Sequence, residues 1–144
     1  MNALLILVAS LLAPADDAMD KELAKFQGTW ELVAGEVDGK AIKAQHVEDS
    51  TLTWKGSEVT LTVPHLAKEK IVSKVTRIDP KKKEIEWVRE TGPHKGVKVV
   101  ALYDFPDGDN FKVCFHPEGK PKPGKLDTEE GDGYIFHTFK RAKK

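Results

Sequence analysis

Five histidines, one cysteine and two close carboxylate pairs are the side chains here that could do metal or covalent chemistry. The histidines are His46, His65, His94, His116 and His137. They form no H-x-H, H-x-x-x-H or H-E-x-x-H pair, and one Cys cannot make Cys-x-x-Cys. His116 and His137 are expected on neighbouring strands. Antiparallel pairing about the 117–132 loop sets 116 opposite about 133 and His137 opposite about Lys112. That leaves the two rings ~13 Å apart along the strand, so surface histidines are the simpler reading. Cys114 sits between Val113 and Phe115 on an expected strand. If Phe111, Val113 and Phe115 face inward, Cys114 faces outward or into a second packing layer. No helix N-terminus is expected nearby to lower its pKa.

Glu84 with Glu86, and Glu129 with Glu130, are spaced as paired acids. Such pairs do glycosidase-type chemistry when an apolar pocket raises one pKa. Lys81, Lys82 and Lys83 flank the first pair, and Gly and Asp surround the second. Solvated charge is therefore expected at both. No G-x-S-x-G elbow is present, and Ser10, Ser50, Ser57 and Ser73 fall in leader, strand or turn contexts. There is no G-x-G-x-x-G or Walker motif, and Gly131-Asp132-Gly133 precedes a strand rather than a helix. The sequence predicts no catalytic residue, no metal site and no cofactor, hence not an enzyme.

Aromatic side chains carry more information. Trp30, Trp54, Trp87, Tyr103, Phe105, Phe111, Phe115 and Phe136 mostly fall on apolar faces. They can fill a core or line an apolar pocket with few polar anchors. Trp54, Trp87, Tyr103 and Phe115 are expected pocket walls. Arg77 and Arg89 end two expected strands, and either could anchor an acidic headgroup.

The elements that must position these residues are short strands. A helix is expected over Asp20 to Gln27, capped by Asp20, with Leu23, Ala24 and Phe26 as its apolar face. After Gln27 the period changes to two. Trp30, Leu32 and Ala34 alternate with Glu31 and Val33, and Asp38-Gly39 then turns the chain. Leu52 and Trp54, then Val59, Leu61 and Val63, make a hairpin around Lys55-Gly56-Ser57. A β-branched strand from about Lys70 to Ile78 stops at Asp79-Pro80. Ile85 and Trp87 mark the next strand, and Val97 to Phe105 and Phe111 to Phe115 two more. The last runs from about Gly133 to Arg141. Eight strands with short hairpin turns predict an all-β fold, an eight-stranded antiparallel up-and-down barrel with a short N-terminal helix. Such a barrel is just wide enough for side chains or one small ligand.

The 144 residues suit one domain, and 23 Lys+Arg against 23 Asp+Glu leave no net charge. That balance argues against a nucleic-acid binder. The basic tail after Arg141 reads as a solvated terminus. Residues 3 to 13 are uncharged and largely apolar, too short for a membrane span. Ala13-Pro14-Ala15 follows as an A-x-A site. The expected division is a signal peptide over 1–15, a leader and helix over 16–27, a barrel over 28–141 and a tail over 142–144. The expected location is periplasmic or extracellular, with no transmembrane span.

Gly28-Thr29-Trp30 at the first strand and Arg141 at the last resemble the lipocalin and calycin signature. In it, a late basic residue packs across the Trp and gains cation–π energy. A longer likeness joins it: Phe26-Gln27-Gly28-Thr29-Trp30-Glu31-Leu32-Val33, Glu36-Val37-Asp38-Gly39-Lys40, Thr91-Gly92-Pro93-His94-Lys95-Gly96, Asn110-Phe111-Lys112-Val113-Cys114-Phe115 and Gly131-Asp132-Gly133-Tyr134. These segments are similar to a family of small exported lipocalin-like proteins abundant in planctomycetes. The likeness spans about residues 22 to 141. Members often carry Arg-Pro and then an aromatic after the Cys strand, where this chain has Pro121-Lys122-Pro123. The resemblance implies the fold, an extracytoplasmic setting, and structural roles for Gly28, Trp30 and Arg141. It implies no particular ligand or reaction.

Together these observations lead to an extracytoplasmic protein that binds a small apolar or amphipathic ligand in its barrel. The alternative is an interaction module with a filled barrel and an envelope protein partner.

Overall fold

The computed structural model describes residues 18–43, 47–64, 70–119 and 121–143. The expected signal peptide and its cleavage site, and His46 and His65, lie outside the described residues. Residues 18–26 are helical (α1). Nine strands follow: β1 (Gly28–Val37), β2 (Lys40–Ala41), β3 (Thr51–Lys55), β4 (Glu58–Thr62), β5 (Ile71–Asp79), β6 (Glu84–Arg89), β7 (Lys98–Asp107), β8 (Asn110–Phe115) and β9 (Ile135–Arg141). Each strand from β3 to β8 pairs antiparallel with the next, and β1 pairs with both β3 and β9. Eight strands thus close into an antiparallel up-and-down barrel, as the hairpin spacing predicts.

The ninth strand comes from the Asp38-Gly39 turn. Both residues have positive φ, 57° and 77°, as a tight two-residue hairpin requires. The returning strand β2 is only two residues long and pairs with Glu36 and Val37. β3 takes the other end of β1, from Gly28 to Glu31.

Alternation along two strands is broken by bulges. On β1 the register slips between Leu32 and Ala34, so Gly35 lies opposite His137 and Ala34 is exposed. The expectation that Ala34 shares a face with Trp30 and Leu32 is corrected accordingly. On β5 the register slips between Val75 and Arg77, and Val75 and Ile78 are both buried. One inserted residue reverses the phase of every residue beyond it.

The floor of the barrel is plugged by α1. Phe26 packs its ring on Trp54, Tyr103, Phe105 and Phe111, with centroids 4.4–5.2 Å apart. Gln27 clamps the β3–β4 turn by donating to and accepting from the Gly56 backbone. The Arg141 guanidinium lies 4.2 Å from the Trp30 ring centroid and donates to the carbonyls of Gln27 and Lys25. Trp30 Nε1 donates to the Phe26 carbonyl at 2.8 Å. Gly28 adopts a φ of 105°, open to glycine alone, while a Cβ there would meet Arg141 only at ordinary contact distance. Backbone conformation, more than crowding, calls for glycine at that position.

Trp30 is fully buried and holds the β1–β9 seam against the floor. Trp30→Ala is expected to cost roughly 3–5 kcal/mol in chemical denaturation, the range for truncating a buried aromatic. A near-neutral variant would contradict this role.

Candidate functional site

Inside the barrel, between β3–β6 and β8–β9, is a cavity of about 60 Å³. Its walls are almost wholly apolar, including Leu52, Trp54, Trp87, Phe111, Phe115 and Phe139. Two polar side chains join them, Ser73 and Arg89.

The ladder explains this placement. Trp54 pairs with Val59, Val59 with Ser73, and Ser73 with Arg89, so one row crosses four strands and faces inward. Barrel strands tilt against the axis, so a row perpendicular to them climbs from one end toward the other. Trp54 stands at the floor beside Phe26, and Arg89 ends β6 at the opposite end. Arg89 is 8% exposed and its guanidinium lies 6.0 Å from the Phe115 ring centroid. Burial lowers its pKa. Arg89 Nε and Trp54 Nε1 are the two buried side-chain donors with no hydrogen-bond partner among the described residues.

Of the expected pocket residues, the structure brings together Trp54, Trp87, Phe115 and Arg89. Tyr103 and Arg77 lie elsewhere. Tyr103 is in the floor, where its hydroxyl donates to Glu22 and Lys83 lies over its ring. Burial, then that hydrogen bond, raises its pKa. Burial pushes the Glu22 carboxyl up, but hydrogen bonds from Lys25 and Tyr103 outweigh it and hold it below the usual range. Arg77 faces outward because of the β5 bulge. Strict alternation would place it beside Ser73 and Val75, but the extra residue turns it to Glu84 and Glu86, 3.6 and 3.9 Å away.

Glu84 is not the solvated charge expected. It is 6% exposed on the outer face, held by Lys122 and Arg77. The Lys122 ammonium keeps its carboxyl below the usual range, the reverse of what a general acid needs. Lys122 belongs to the 117–132 loop, which folds over the outside of the barrel. Thr128 ties this loop to Glu36 and to the Gly39 backbone, and Cys114 Sγ lies 3.5 Å from the Asp127 carbonyl. Cys114 is thus in a second packing layer, and burial pushes its thiol up to about 11.

His137 was missed as an interior residue. Val113, not Lys112, lies across from it, and this one-residue difference in register turns it inward. Its ring packs on Phe115 and Phe139, at 5.9 and 5.6 Å, and Gly35 opposite leaves it room. The irregular 117–132 loop sets that register, and alternation alone gives no count for such a loop. Among the described residues no three His, Cys, Asp or Glu side chains cluster as metal ligands. Among those residues, too, no helix is long and apolar enough to cross a membrane. No known protein family, curated protein or solved structure matches the chain.

Burial lowers the His137 pKa from 6.5 to about 4. The unfolded chain takes up this proton near pH 6.5 and the folded chain only near pH 4. Stability is therefore full above pH 6.5 and declines as the pH falls through that window, by on the order of 2–3 kcal/mol. His137→Leu is expected to flatten the decline in urea titrations across this range. An unchanged slope would show that the ring is not held neutral.

Proposed function

We propose that this chain is an exported, non-catalytic, lipocalin-like protein that binds a small apolar or amphipathic molecule inside its barrel. The observation that carries the reading is the cavity itself. Aromatic and aliphatic side chains line it, α1 plugs the floor beneath it, and the Arg89 cation reaches its far end. Apolar walls with few polar groups are the usual make-up of a small-molecule site. The cavity volume favours a short-chain or compact ligand over a long lipid. Export rests on the uncharged segment over residues 3 to 13 and the Ala13-Pro14-Ala15 site. The lipocalin-like reading rests on barrel closure at the Trp30–Arg141 seam. The ionised state of Glu84 and the raised thiol pKa of Cys114 fit a role without covalent chemistry.

Trp54 and Trp87 line the cavity, so an occupant changes their fluorescence. Titration with carboxylic acids and alcohols from hexanoate to dodecanoate length is expected to give a saturable change for at least one compound. The response is expected to shrink in Trp87→Leu. Flat titrations across the panel would overturn this reading in favour of an interaction module with a filled barrel.

A further inference from the structure

We infer that the molecule taken by the barrel is a singly charged carboxylic acid with a short apolar tail, its head held by Arg89. This rests on the ligand reading above and gives it a substrate class.

The argument begins from charge compensation. Buried charges are unfavourable unless paired and hydrogen-bonded. The barrel obeys this rule at its other buried charges. Glu22 has Lys25 at 2.8 Å and the Tyr103 hydroxyl, and Glu84 has Lys122 and Arg77. Arg89 is the exception. Its side chain faces an apolar cavity, its Nε has no partner, and no described carboxylate lies within ion-pair distance. A guanidinium stays charged in proteins, so neutralisation is not a way out. An anion brought by the ligand supplies the missing partner.

The shape of the site narrows the anion. A guanidinium presents a planar fork of N–H donors that matches a carboxylate in two parallel bonds. Ser73 sits directly across the β5–β6 pair on the same inward face and adds a hydroxyl beside that fork. One cation balances one negative charge, so a dianionic head would bring a second charge with no partner. Arg89 ends β6 at the end opposite α1, and the apolar walls run from there toward Trp54 and Phe111. The head therefore lies at the Arg89 end and the tail points to the floor. A volume of about 60 Å³ admits only a short tail.

The test is calorimetric titration of the wild-type chain, Arg89→Met and Arg89→Lys with octanoate and with 1-octanol. Octanoate is expected to bind wild type more tightly than the alcohol. Its affinity is expected to fall on the order of 10- to 100-fold in Arg89→Met, with partial recovery in Arg89→Lys, while 1-octanol, which brings no charge, loses markedly less. Equal binding of acid and alcohol, indifferent to Arg89→Met, would overturn the head assignment and leave the ligand reading standing. Binding of neither compound would overturn both. Without ligand, Arg89→Met is expected to melt at or above the wild-type temperature, because it removes an unpartnered buried charge. A marked loss of stability would show that Arg89 serves the fold, and would overturn the inference.

Discussion

The structure depends on how the end of α1 is satisfied. A helix leaves its last carbonyls without intrahelical partners. Here the carbonyls of residues 23 to 27 each accept a hydrogen bond, from the Gln27 side chain, the Gln27 backbone, Arg141, Trp30 and Arg141 again. Three of these bonds come from the β1–β9 seam. The groups that close the barrel are therefore the groups that cap the helix, and the helix in turn carries Phe26 into the floor. Neither half is complete alone. Without the seam the helix end is unpaired, and without the helix the aromatic floor is open to water.

That coupling separates two chemically different ends. At the floor, among the described residues, every buried side-chain polar atom has a partner except Trp54 Nε1, and Phe26 packs edge to face on Tyr103 and Phe105. At the far end of the same ladder row the Nε of Arg89 is buried with none among the described residues. The outer face has its own ionic order, in which the long loop brings Lys122 to Glu84 and the Asp127 carbonyl to Cys114. Among the described residues the outer carboxylates Glu84 and Glu86 have cationic partners, whereas Arg89 on the inner face has no ion-pair partner.

Much of this was legible in residue order. The period-two runs and the turn residues predict the antiparallel barrel with its short N-terminal helix, but not that this helix plugs one end. Four of the six expected pocket residues line the cavity. The rest fails for one physical reason, that alternation cannot count an inserted residue. The bulge on β5 turns Arg77 out to Glu84 and Glu86, and the bulge on β1 exchanges Ala34 for Gly35. A one-residue difference across the 117–132 loop turns His137 in. Tyr103 differs in kind, since it faces inward as expected but Glu22 draws its hydroxyl to the floor. No period reports a contact between a helix and a strand so far apart in the chain.

If the inference from Arg89 holds, the barrel carries a small acid in its native setting. Native mass spectrometry of the protein purified from its natural source decides whether it does. The account predicts a complex heavier than the chain by one small molecule, which on release carries a single ionisable acid group. A chain at its bare mass, under conditions that preserve non-covalent complexes, would contradict it.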